Sequence, residues 1–304
     1  MDEVPMTNRQ VWLWGVLALA VVVGGALLLM YLQMPLQGTV YATSVADDGL
    51  RRNISLLLPN LAVTEETIAL GERVYALARV PSPDGANSAY VVHDLVDGRR
   101  VIITAGEVET TVTVFGDVPE IPSWSSDSST IAFSTLPKLS EEDTGNPDSW
   151  LVVRAVLNGD SLIVGRGYHP FPSFDGRVFA LTSRGVELLT RDGEEGELVI
   201  ASAAPVHIST PFAVSEDGTR VAWVNPADRS LQVFEHVNER FVPLLLKPGV
   251  PLHSMVFSPD GKYLLGAFQE ENNTTLVSIM VDGGRTRDVG IVAGDVALHA
   301  WRYE

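Results

Sequence analysis

Two hydrophobic patterns divide the chain. From Val11 to Leu32 the residues are apolar or small, with no charge among them. A helix rises about 1.5 Å per residue, so this stretch would reach across the roughly 30 Å hydrocarbon core of a bilayer. Beyond residue 37 the pattern changes to short runs of Val, Ile, Leu, Phe and Thr broken by Gly, Asp, Asn and Pro. No helical period persists there. The pattern predicts many short strands and an all-β fold preceded by a single transmembrane α-helix.

The apolar segment reads as an anchor over 11–34, after a short tail at 1–10. Trp12 and Trp14 lie at one end and Tyr31 at the other, where amphipathic rings suit the two headgroup zones. A cleaved secretory signal would need a basic head and a core of about 7–15 apolar residues. Here the head carries Asp2 and Glu3 against Arg9, and the core is longer. Ala20 and Gly24 form a small-xxx-small pair, widened by Gly25. Such pairs let a second membrane helix approach closely, so these three residues are candidates for partner contact.

Repetition narrows the fold. Four segments share a design: an apolar residue, a small polar turn with Asp, then an apolar strand. Trp124 and Asp127 mark the first, and Asp175 and Gly176 the second. Asp217 and Gly218 mark the third, and Asp260 and Gly261 the fourth. The Asp anchors are spaced by 48, 42 and 43 residues, close to the roughly 40–45 of a four-stranded propeller blade. In such a turn Asp bonds its own backbone and Gly accepts φ > 0. Pro81-Ser82-Pro83-Asp84-Gly85 has the same letters, but it follows a run that resembles a second strand. It reads as a second-to-third-strand loop, which leaves 61–64 as the first strand of that blade. Trp301 opens a repeat that residues 35–60 would complete, with strands near 39–45 and 54–58. The expectation is a propeller over 61–304 of about six blades, five or seven remaining open.

The segments Pro122-Ser123-Trp124-Ser125-Ser126-Asp127 with Ile131-Ala132-Phe133-Ser134, and Phe257-Ser258-Pro259-Asp260-Gly261-Lys262-Tyr263-Leu264, resemble the WD-like blades of the TolB family of periplasmic propellers. The resemblance implies the fold and an extracytoplasmic setting, with the N-terminus cytoplasmic and the propeller periplasmic. TolB-like proteins are soluble after signal cleavage and carry a separate domain before the propeller. A TolB role in envelope transport is therefore not carried over.

Charge and chemistry restrict function. With 21 Lys and Arg against 38 Asp and Glu, the formal charge is −17, which argues against nucleic acid or anionic lipid headgroups as ligands of a basic face. There is no Cys, which removes thiol chemistry and Cys-ligated metal. No nucleophile elbow, phosphate loop, dinucleotide fingerprint or zinc-protease motif is present. Six histidines, at 93, 169, 207, 236, 253 and 299, include no pair at ligand spacing. His169, His207 and His253 precede repeat anchors and would lie toward one face. The acidic run Glu141-Glu142-Asp143 sits in an insertion at 137–149 between two strands, a candidate for partner contact on a long loop. These observations lead to an expectation of no cofactor, no metal site, no catalytic residue and no enzymatic activity. The function expected is a scaffold or accessory subunit of a membrane complex, whether envelope, respiratory or photosynthetic. It would touch other membrane proteins through the helix and the propeller faces. The alternative is a sensor that binds a small molecule, sugar or peptide in the channel. A carboxylate or His cluster at the channel mouth would instead mark an enzyme.

Overall fold

The β-rich runs form strands whose buried positions face neighbouring sheets; in Val178–Thr182 and Gly185–Leu189 every residue is buried, as expected for strands covered on both faces. The computed structural model describes residues 36–45, 51–66, 74–94, 98–106, 108–112, 118–137, 145–173, 175–190, 196–237, 240–249 and 251–303. The chain divides into two units, Met1–Gln37 and Gly38–Glu304. The expected membrane helix, with Ala20, Gly24 and Gly25, lies outside the described residues, as do Glu141, Glu142 and Asp143. No helix among the described residues is long and apolar enough to cross a membrane.

The second unit is a six-bladed β-propeller, all of its strand pairs antiparallel. Blade 1 runs from its inner strand Val74–Pro81 through Asn87–Asp94 and Gly98–Ala105 to Val108–Val112. In blade 2 the inner strand is split into Val118–Pro119 and Ser123–Trp124, both paired with Thr130–Leu136. Leu151–Val156 and Ser161–Arg166 complete that blade. Blade 3 begins at Tyr168–Pro172 and ends at Glu197–Ala201. Blade 4 spans Phe212–Val214 to Arg240–Lys247, and blade 5 Ser254–Phe257 to Thr286–Ala293. Blade 6 joins the two ends of the unit. Its inner strand is Asp295–Arg302, followed outward by Gly38–Val45, Arg51–Leu58 and Ala62–Glu66. Each inner strand touches the next around the ring, and Asp295–Arg302 touches Val74–Pro81.

This order corrects the reading of the Pro81–Gly85 motif. It joins the first and second strands of blade 1, like its four counterparts, while 61–64 belongs to the outermost strand of blade 6. Period-2 alternation marks a strand without saying how far it lies from the axis, whereas the turn geometry does say. In each turn a Ser hydroxyl donates to the Asp two residues on: Ser82 to Asp84, Ser125 to Asp127, Ser215 to Asp217 and Ser258 to Asp260. The same Ser oxygen accepts the backbone N–H that opens the second strand, from Thr130 at 3.0 Å in blade 2 and Arg220 at 2.8 Å in blade 4. Asp175 accepts from the Arg177 backbone and guanidinium as well as from the Ser173 hydroxyl. Gly176, Gly218 and Gly261 take φ of 84, 70 and 67°, and in blade 2 Ser128 takes φ 60° in that place.

The closure is tight. A Cβ on Gly38, at φ 105°, would stand 2.1 Å from the carbonyl oxygen of Arg302. Trp301 and Trp223 are each 1 % exposed and rank among the largest fully buried side chains. Trp124 donates its indole N–H to the carbonyl of Val80 at 2.8 Å, tying blade 2 to blade 1.

Candidate functional site

The inner strands run in one direction, so the propeller has two unlike faces. One carries the Ser–Asp turns and thus the anchors Asp127, Asp175, Gly176, Asp217, Gly218, Asp260 and Gly261. The other gathers the starts of the inner strands and the connecting residues 145–150, 202–211 and 225–230. The central channel differs correspondingly from end to end.

At the turn face Arg302 plugs it. The guanidinium donates to the carbonyls of Pro81 and Trp301, at 3.3 and 3.1 Å, and lies 3.5 Å from the carboxylate of Glu216. Burial lowers the Arg302 pKa and raises that of Glu216, and in both the attraction between them opposes the shift. This pair lines a cavity of about 50 Å³, together with Ser123, Ser215 and His299 and the apolar Val80, Trp124, Phe171, Val214 and Phe257. That is room for roughly four waters and not for an organic ligand.

His299 lies 3.0 Å from the Thr43 hydroxyl through Nε2. Burial pushes its pKa down to about 3, and the positive charges of His169 and Arg51 push the same way. Burial alone brings His169 down to about 4. Both rings are therefore neutral at pH 7. His169 also holds φ at 53°, a conformation that costs an L-residue about 1–2 kcal/mol, beside an irregularity in the pairing of its strand. Its ring packs 5.2 Å from Phe171, which meets Phe212 edge-on at 5.2 Å. The preceding residue, Tyr168, stands edge-on to Trp150 at 4.9 Å and donates its hydroxyl to Glu120. Burial raises Glu120 above its ordinary value, opposed by the positive charges of Arg51 and Arg99 and by the Tyr168 bond. Tyr168 is raised by its own burial and then by the Glu120 charge. Arg51 and Arg99 themselves are exposed, each at the start of a third strand on this face.

The arrangement offers two exposed cations, a half-buried carboxyl with a phenol beside it, and two neutral imidazoles. Such a set can hold an anionic group, hydrogen-bond hydroxyls and move a proton. Among the described residues no group of three or more His, Asp or Glu could hold a metal ion.

Of the residues singled out from sequence, His169 and His299 do converge. His207 and His253 lie together elsewhere on the same face, and His236 stacks on Phe241 at 4.9 Å. Arg51, Arg99, Glu120 and Tyr168 were missed. One signal existed for Glu120: Pro119 and Pro122 bracket it, and proline within a strand marks a break in the ladder.

Several solved structures share this architecture. TolB from Acinetobacter baumannii superposes with a TM-score of 0.62 at 15% identity, covering 88% of this chain and 67% of that one. An oligogalacturonate lyase in complex with manganese gives 0.55 at 16%, over 83% and 74% of the two chains. A periplasmic gluconolactonase from Pseudomonas aeruginosa gives 0.51 at 16%, over 84% and 83%. The lyase and the lactonase correct the expectation that the chain is not an enzyme. The fold itself is used for catalysis, and the missing sequence motifs are no ground for excluding it. No family model and no curated protein matches the chain. At these identities the likeness shows the architecture alone: the chain folds as a six-bladed β-propeller like that of TolB.

Proposed function

We propose that the chain is a membrane-tethered propeller, N-terminus cytoplasmic and propeller periplasmic, that binds a small hydroxylated anion at the channel mouth. The convergence of Arg51, Arg99, Glu120, Tyr168, His169 and His299 carries this reading, because they come from four different blades. The Arg302 plug and the narrow cavity support entry from the mouth only. Arg51 and Arg99 would clamp a carboxylate. Tyr168, Glu120 and the neutral histidines would meet hydroxyls, and the strained backbone at His169 is the kind of outlier that gathers at ligand sites.

Galacturonate and glucuronate are suitable probes. Titrated calorimetrically into the full chain, one or both should bind saturably, and Arg51→Gln with Arg99→Gln should weaken binding at least tenfold. Absence of heat with both acids would sink the reading. Chromatography of the mixture after incubation shows whether the site also turns its ligand over.

A second reading, a protein-binding scaffold or accessory subunit of a membrane complex, is favoured by one surface. Val242, Leu244 and Leu246 are 41, 36 and 66 % exposed along Arg240–Lys247, the edge strand of blade 4, whose pairing slips by one residue at Leu244. Exposed apolar residues on an edge strand invite pairing with another chain. Purified from native membranes in mild detergent, the protein should co-migrate with stoichiometric partners, and Leu244→Asp with Leu246→Asp should release them. A lone monomer in both preparations would remove this reading.

A further inference from the structure

A second concavity opens on the mouth-side face, over the junction of blades 3, 4 and 5. It encloses about 350 Å³, within the range of small-molecule sites and far above the channel cavity. Val224 and Leu252, 3 and 2 % exposed, form its buried base. Pro205, Pro211 and Pro226 line its sides. Prolines have a fixed φ, so these walls lose little freedom when a ligand arrives.

The electrostatics of the lining run against the rest of the chain. The protein carries 38 acidic residues, yet none lines this concavity, whereas Arg229, His207 and His253 do. The Arg229 side chain makes no hydrogen bond or ion pair among the described residues. Its backbone is nevertheless held in an unfavourable place, at φ 58°. The loop that holds it is cross-linked: Arg229 N–H donates to the Asn225 carbonyl at 2.9 Å, Asn225 Oδ1 accepts from Ala227, and Asp228 accepts from Ser230. The nearest carboxylate in sequence, Asp228, is thus occupied by Ser230 rather than by the guanidinium. His253 is turned away from binding an anion: it donates from Nε2 to the Val296 carbonyl at 2.9 Å and lies 3.4 Å from the Asp295 carboxylate, which leaves Arg229 as the cation of the site. A strained, unpaired cation over an apolar base with proline sides is a site prepared for an anion.

We propose that this concavity binds a small organic anion, a carboxylate or phosphate monoester with a flat apolar body. Arg229 holds the anionic group, and the body lies between the prolines over Val224 and Leu252. This site is separate from the channel mouth and does not depend on it.

Phenyl phosphate and benzoate, titrated into the full-length protein by calorimetry, test the assignment. At least one should bind saturably. Arg229→Asn should weaken that binding tenfold or more, and Arg229→Lys should retain part of it. Asparagine tolerates the left-handed backbone better than arginine, so the melting temperature of Arg229→Asn should stay level or rise. Loss of affinity without loss of stability is a result that a merely structural role would not give. The proposal is overturned if neither probe binds saturably. It is equally overturned if Arg229→Asn leaves affinity unchanged, or if Arg51→Gln abolishes binding while Arg229→Asn does not, which would move the anion to the channel mouth.

Discussion

Replacing Trp301 with alanine should destabilise the propeller by about 3–5 kcal/mol, the usual range for truncating a buried aromatic. Trp301 is 1 % exposed and pairs with Val40 in the strand that closes the ring. Its indole Nε1 stands 3.1 Å from where a Gly38 Cβ would be, so the cavity left by truncation opens at the seam between the two ends of the unit. The seam cannot collapse freely, because Gly38 is already fixed against the Arg302 carbonyl. For a domain of this size each kcal/mol lowers Tm by about 2–4 °C, so thermal unfolding followed by circular dichroism should show a fall on the order of 10 °C. A change of about 1 °C would mean that the Asp295–Arg302 strand does not hold the ring shut.

Acid should destabilise the fold from about pH 6.5 downward, well before its carboxylates titrate. His169 and His299 are held down to about 4 and about 3, chiefly by burial, whereas an unfolded histidine titrates near 6.5. Their contribution is intact above 6.5 and is lost as pH falls toward those folded values, because over that span the unfolded chain binds protons that the folded chain refuses. At pH 5 the loss is on the order of 1–2 kcal/mol for each ring, allowing for water in the channel. The turn carboxylates Asp84 and Asp127, lowered mainly by the hydroxyls of Ser82 and Ser125, lose their contribution only as pH falls below their ordinary range. Glu120 and Glu216, both raised by burial, act in the opposite sense just above theirs. Melting temperatures measured from pH 7.5 to 4.5 should therefore fall steeply in the native protein. They should fall much less in a His169→Asn, His299→Gln variant. Equal slopes in the two proteins would show that the imidazoles are not the source.

The fold was legible because its turns are chemically specific. Asp127, Asp217 and Asp260 sit where a Ser hydroxyl and a backbone N–H both need an acceptor, so the spacing of aspartates records the spacing of blades. The same chemistry at Asp84 was misread, since the strands beside it look alike whether they lie first or second from the axis. The candidate site left almost no linear trace. Arg51 and Arg99 begin third strands, Glu120 sits in a break in an inner strand, and His299 lies in the closing strand. No spacing along the chain relates such positions, because ring closure brings them together. The left-handed backbone of His169, at φ 53°, is likewise invisible in composition.

The seam also determines how the domain carries a mechanical load. Gly38 begins a strand flanked on both sides, by Arg51–Leu58 and by Asp295–Arg302. Tension applied along that strand at Gly38 shears both ladders at once, instead of peeling one hydrogen bond after another. A propeller hung from this point would resist extraction far better than one hung from an outer edge such as Arg240–Lys247, where a pull meets a single ladder.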